Sequence, residues 1–206
     1  MKYKGFIWDL GGTLFDTYPG MVFAFKKALL DYNIAEKDIN ILEKIRISKK
    51  TGIEYFKKKY NLKNEFIKNV ELYEKKINLK DRPPFPYIIE VLKYINENGG
   101  KNFIFTHRNK ESVFQLLNFY DLKKYFFEIK SIEDGLKRKP NKEGYEYFKK
   151  KYNLKWIAIG DREIDIQAGI NCKIDTVYFN IFGEKNILAK YSIKHFKEFY
   201  RILNDL

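Results

Sequence analysis

Apolar positions along the chain follow two rhythms. Short β-branched and aromatic runs read as buried strands: Phe6-Ile7-Trp8, Phe103-Ile104-Phe105, Trp156-Ile157-Ala158-Ile159 and Thr176-Val177-Tyr178-Phe179. Phe127-Glu128-Ile129 is a weaker fifth. Between most of them, apolar residues recur at helical spacing. Ile88, Val91, Leu92 and Ile95 fall at i, i+3, i+4 and i+7, and the helix they predict stops at Asn98-Gly99-Gly100. Val113, Leu116, Leu117 and Tyr120 repeat that spacing, and a helix after Pro140 puts Tyr145, Phe148 and Tyr152 on one face. Strands alternating with helices predict an α/β fold, a doubly wound, Rossmann-like parallel sheet with helices on both faces.

The interval 17–83 breaks the alternation. It holds no convincing strand but three helical patterns, Val22/Phe25/Leu29/Tyr32, Ile53/Phe56/Tyr60 and Phe66/Val70/Tyr73/Ile77. It closes at Asp81-Arg82-Pro83-Pro84-Phe85-Pro86, too proline-rich to continue a helix. We therefore expect an all-α insertion at 17–83 and an α/β core at 1–16 and 84–206. One decapeptide, Glu-Tyr-Phe-Lys-Lys-Lys-Tyr-Asn-Leu-Lys, occurs at both 54–63 and 146–155. Neither flank extends the match, so it reads as two amphipathic helix ends rather than a repeat architecture.

Composition narrows the class. With 45% hydrophobic and 17% aromatic residues in 206, the chain can bury a core, which excludes disorder. The 18 Phe and 16 Tyr are not organised with basic residues into a base-stacking platform. The single cysteine, Cys172, excludes an intrachain disulfide and fits a reducing compartment as a buried structural thiol. No stretch approaches 18 apolar residues, and Met-Lys-Tyr-Lys-Gly leads straight into a strand-like run, so a cytoplasmic protein without membrane span or signal peptide is expected. The net charge of +13 is spread along the whole chain. That distribution favours a small anionic substrate over nucleic acid; a monomer and a homodimer fit it equally.

Candidate chemistry gathers just beyond predicted strand ends, where open parallel sheets bind ligands. Asp9 is followed by Gly11-Gly12-Thr13, whose bare backbone lets N–H groups approach a phosphate. Thr106-His107-Arg108 follows the second strand, Lys139-Pro140 sits in a basic run, and Gly160-Asp161-Arg162-Glu163-Ile164-Asp165 ends a strand and opens a helix. Asp9, Asp161 and Asp165 supply oxygen ligands of the kind Mg²⁺ takes. Lys139 or the metal would keep Asp9 ionised as a nucleophile.

In this order, Asp9-x-x-Gly12-Thr13-Leu14-x-Asp16, Thr106, Lys139-Pro140 and Gly160-Asp161-x-x-x-Asp165 resemble the motifs of the haloacid dehalogenase-like (HAD) hydrolases, most of all the phosphoglycolate phosphatase-like group. The insertion at 17–83 sits where the type 1 helical cap of that family lies, and Pro86-Tyr87-Ile88-Ile89-Glu90-Val91-Leu92 resembles its proline-led helix. The resemblance implies a Mg²⁺-dependent phosphatase acting on a small phosphorylated metabolite through an aspartyl phosphate on Asp9. It further implies Mg²⁺ held by Asp9, the carbonyl of Gly11, Asp161 and Asp165. The Gly11-Gly12 backbone, Thr106, the amide of His107 and Lys139 would bind the phosphoryl group. The cap segment Ser48-Lys49-Lys50-Thr51-Gly52 is then expected to be a turn that sets specificity.

Gly11 departs from the pattern. Family phosphatases usually carry there an aspartate that protonates the leaving oxygen, and its loss typically costs about 10²–10⁴-fold in rate. Three readings stand: a leaving group needing little protonation, a stand-in acid such as His107 or a cap lysine (Lys49 or Lys50), or an impaired relative that binds a phosphorylated ligand or protein partner. Asp16 reads as a cap of the first helix, Arg162 as a partner of a nearby carboxylate, and His195 as a surface residue of the last helix.

Overall fold

Four consecutive buried residues, Gly5–Trp8, form β1. The structure, a computed structural model, describes residues 1–204. Helices α1 (Tyr18–Leu30), α2 (Asp38–Ile47), α3 (Lys49–Tyr60) and α4 (Glu65–Lys75) come next. The chain then alternates through α5 (Ile88–Glu97), β2 (Lys101–Phe105), α6 (Lys110–Phe119), β3 (Phe126–Lys130), α7 (Glu143–Lys151), β4 (Trp156–Gly160) and α8 (Glu163–Asn171). It ends in β5 (Asp175–Phe179), β6 (Tyr191–Ile193) and α9 (Phe199–Asn204). All six strands pair in parallel, in the order β3-β2-β1-β4-β5-β6. The fold is a doubly wound, Rossmann-like α/β sheet.

Both faces of that sheet are covered, which is why β1 and β4 read as unbroken apolar runs. Ile7, Phe103, Phe105, Trp156 and Ala158 cluster with Tyr145 and Phe148 of α7 and Ala168 of α8. Their strand neighbours point the other way, Phe6 and Trp8 onto Phe199, and Trp8 onto Phe196 as well. Trp8 donates its indole N–H to Asn102 Oδ1 at 2.8 Å, so its one polar atom is satisfied in the core. β6 had no signal in the sequence, because a three-residue edge strand shows no period.

The chain divides into two compact units, Met1–Phe15 with the chain from Pro84 onward, and Asp16–Pro83. In the second unit α1 to α4 share a core of Phe25, Ala28, Leu29, Ile41, Ile45, Phe56, Phe66 and Val70. α2 escaped the periodicity reading because it buries only Ile41 and Ile45. The segment expected as a turn at Ser48–Gly52 is instead a helix start. Ser48 caps α3 by accepting the Thr51 N–H at 2.9 Å, and Lys49 pairs with Glu74 at 2.5 Å. His195, expected on the last helix, caps the short 3-10 turn Phe196–Glu198 before α9 and is exposed. No described helix is long and apolar enough to cross a membrane.

The two decapeptide copies share a device. Phe56 and Phe148 are both fully buried. Lys59 and Tyr60 grip Glu36, each at 2.6 Å, while Lys151 and Tyr152 grip Glu128 at 3.0 and 2.7 Å. Hydrogen bonds from Lys59, Tyr60 and Asn40 hold the Glu36 carboxyl down at about 2. A depressed carboxyl stabilises the fold above its unfolded pKa and loses that contribution as pH falls through the folded one. Glu36→Gln is therefore expected to destabilise the Asp16–Pro83 unit by roughly 1–2 kcal/mol at pH 7. The deficit should shrink as pH falls from about 5 towards 2. Urea unfolding at pH 7 and pH 3 checks this, and an equal deficit at both would refute the assignment.

Candidate active site

β2, β1 and β4 are neighbours at the centre of the sheet, so residues leaving their carboxyl ends converge where the strand order reverses. Asp9 follows β1 directly, and its N–H donates to the Ile159 carbonyl of β4 at 2.9 Å. Asp161 follows β4, and Asp165 sits in the first turn of α8. Asp9, Asp161 and Asp165 are all buried, and each offers an oxygen within 4.8 Å of the others. Buried carboxylates this close repel one another unless cations intervene.

Lys139 supplies one. It arrives from the segment between β3 and α7, its side chain is fully buried, and Nζ lies 2.5 Å from Asp9 Oδ1 and 2.6 Å from Asp165 Oδ1. Burial pushes the ammonium down, but the charges of Asp165 and Asp9 outweigh it and leave Lys139 above its ordinary value. Arg162 adds a second cation 3.9 Å from both Asp9 and Asp165. Two cations against three carboxylates leave this group net negative.

The loops are shaped to permit this approach. Gly12 holds φ +85 and donates its N–H to the Phe15 carbonyl at 2.8 Å, which turns the chain immediately after Asp9. A Cβ on Gly160 would lie 2.2 Å from Asp165 Cβ, so a side chain there would push α8 away from the site. Thr13, expected only for its backbone in the glycine run after Asp9, donates its hydroxyl to Asp161 Oδ1 at 3.0 Å. Asp165 Oδ2 accepts the Arg162 N–H at 3.1 Å, so this carboxylate also caps α8.

Thr106 lies buried at the end of β2 and its Oγ1 accepts the Arg108 N–H at 3.3 Å, which leaves its own proton to donate. His107 does not fit the part of a stand-in acid. Its Nε2 accepts the Lys139 backbone N–H at 2.9 Å. Burial, then the charges of Lys139, Arg162 and Arg138, push the imidazole down to about 3. At neutral pH it is an uncharged acceptor, and its remaining N–H is no acid there. Tyr145 is equally unsuited, since burial and the charges of Asp165 and Asp9 drive its phenol well above the usual value. Lys49 and Lys50 pair with Glu74 and Glu54. Asp16 falls in the other unit, where its carboxylate accepts the Tyr18 N–H at the start of α1. Cys172 is buried in the core.

Residues 6–179 match the haloacid dehalogenase-like hydrolase family. The chain belongs to this family. A hydrolase from Streptococcus pneumoniae TIGR4 is 32% identical, with 100% of each chain covered and a TM-score of 0.71. A predicted phosphoglycolate phosphatase from Haemophilus somnus is 18% identical, with 98% of this chain and 99% of that one covered and a TM-score of 0.83. A HAD-hydrolase from Bacillus subtilis bound to magnesium is 18% identical over 99% of this chain and 100% of that one, with a TM-score of 0.75. The likeness to the last two is one of fold. No curated protein matches.

Charge balance in this HAD-like hydrolase gives a direct prediction. Lys139→Met leaves Asp9 and Asp165 buried without their shared cation and is expected to lower stability by about 3–5 kcal/mol in chelator-treated buffer. Added Mg²⁺ should recover part of the loss. Urea unfolding with and without Mg²⁺ is the measurement, and wild-type stability under chelation would contradict it.

Proposed function

We propose that the protein is a Mg²⁺-dependent phosphohydrolase that acts on a small phosphorylated metabolite through an aspartyl phosphate on Asp9. The observation that carries the reading is the bond from the buried Lys139 ammonium to Asp9 inside a cluster of three carboxylates. A net-negative, all-oxygen donor set suits a hard divalent cation. Asp9, Asp161, Asp165 and the Gly11 carbonyl would hold Mg²⁺, which would neutralise phosphoryl oxygens. The magnesium-bound HAD-hydrolase from Bacillus subtilis, similar in fold, supports the choice of ion.

In the first step Asp9 forms a bond to phosphorus as the bond to the leaving oxygen breaks. Thr106, through its hydroxyl, and the amide of His107 bind the transferring group together with the backbone at Gly11 and Gly12. Lys139 offsets its charge. Water then attacks the aspartyl phosphate and releases phosphate, restoring Asp9. A small phosphorylated compound fits better than nucleic acid, because the basic residues are spread along the chain. We further propose a cytoplasmic protein, monomeric or homodimeric, in keeping with its single cysteine.

Gly11 favours a second reading, an impaired relative that binds a phosphorylated ligand or a protein partner. Without an acid at that position, leaving groups that depart unprotonated, such as acyl phosphates and acidic esters, are the natural substrates. With Mg²⁺ we expect hydrolysis of an aryl phosphate, little of an alkyl phosphate, and none in Asp9→Asn. Gly11 is not among the positive-φ glycines, so its backbone does not itself demand glycine, and Gly11→Asp should raise alkyl turnover by up to about 10²-fold. Failure of wild type to hydrolyse either ester above the Asp9→Asn background favours the binding reading.

A further inference from the structure

His107 occupies an unusual place for a residue so close to the phosphate loop. Its imidazole faces away from any acid–base duty and into the backbone of the opposite loop, where Nε2 accepts the Lys139 N–H at 2.9 Å. Lys139 needs such a tether. Among residues 137–142 it alone is buried, and none of that stretch lies in a helix or strand. A lysine stem is flexible, so the position of its ammonium is only as well defined as its two ends. The far end is fixed by Asp9 at 2.5 Å and Asp165 at 2.6 Å. At the near end, the backbone N–H bonds to His107. Phe105 buttresses both, its ring centroid 6.2 Å from that of His107 and 5.5 Å from Lys139 Nζ.

We propose that His107 is a positioning residue, which anchors the Lys139 backbone by a neutral imidazole acceptor and so sets the ammonium against Asp9. The role demands an imidazole that stays unprotonated, since a protonated ring has no acceptor. The groups that face it are the cations Lys139, Arg162 and Arg138, with Asp165 opposing them, and the balance together with burial keeps it neutral through the physiological range. For catalysis the inference rests on the phosphohydrolase reading; for the tether it does not.

The test compares His107→Gln, whose side-chain carbonyl reaches to about the same distance as Nε2, with His107→Met, which has similar length and only a weak thioether acceptor. With aryl phosphate and Mg²⁺, His107→Met is expected to lose roughly ten- to a hundred-fold in kcat with little change in KM. His107→Gln should recover most of that loss. In a Lys139→Ala background the difference between Gln and Met should vanish, because the imidazole acts only through Lys139. Equal losses in Gln and Met, or a difference that survives in Lys139→Ala, would overturn the proposal.

NMR separates the tether from the activity. In the wild type, nitrogen spectra of His107 should show an unprotonated Nε2 with no titration between pH 5 and 8. The buried Lys139 ammonium should exchange its protons slowly, quickly in His107→Met and slowly again in His107→Gln. An imidazole that titrates near 6.5 refutes the proposal without any variant. If wild type hydrolyses no phosphate ester, the phosphohydrolase reading falls while these spectra still decide the role of His107.

Discussion

The Lys139 ammonium between Asp9 and Asp165 sets the terms for the rest of the site. A lone buried cation is prohibitively costly, and so is a pair of buried carboxylates; together they hold one another in place. The contact requires a loop leaving β3 to return across the ends of the central strands. It also requires α8 to begin close enough to β4 that only glycine fits at 160. The parallel order β2-β1-β4 brings Thr106, Asp9 and Asp161 to one edge. Topology thus gathers segments about 130 residues apart into one electrostatic unit, as the Lys139–Asp9 separation shows.

Much of this was legible in the sequence. The apolar runs of β1, β2, β4 and β5 are long enough to stand out because both sheet faces are buried, and the helices facing them keep the 3.6-residue rhythm. β6 and α2 were missed for one reason: each buries too few side chains to show a period. The order of motifs pointed to Asp9, Lys139, Asp161 and Asp165, which the fold brings together, but order does not give orientation. That Thr13 donates to Asp161 and that His107 turns its ring onto the Lys139 backbone depend on how separate loops meet. A histidine two residues beyond a strand looks the same on the page whether it will be an acid or a strut.

The duplicated decapeptide makes the point about context on identical chemistry. Both copies bury their phenylalanine and close a lysine and a tyrosine on a glutamate from elsewhere. Yet α3 runs through Tyr60 and stops at Asn61 in the left-handed region, with φ 50, whereas α7 stops at Lys151 and Tyr152 is extended. The local preference is the same, so the difference comes from the partners. The acidic anchors lie in different settings, Glu36 before α2 and Glu128 within β3, and the tyrosine follows its anchor.

The proposed phosphoryl transfer would have to manage charge and protons, and the α/β unit is equipped unevenly for the two. Charge is well provided: Lys139 and Arg162 stand against three carboxylates, and Thr106 keeps a proton to share with an oxygen. Transferable protons are scarce. Gly11 has no side chain, the His107 imidazole is held down at about 3, and the Tyr145 phenol is pushed well up. All the departures run in one sense, away from groups that exchange a proton near neutrality. Under the proposed phosphohydrolase reading, a site built this way would stabilise the phosphoryl group strongly and the departing oxygen weakly. The chemistry it favours is therefore decided by the stability of the leaving anion as much as by the shape of the molecule that carries it.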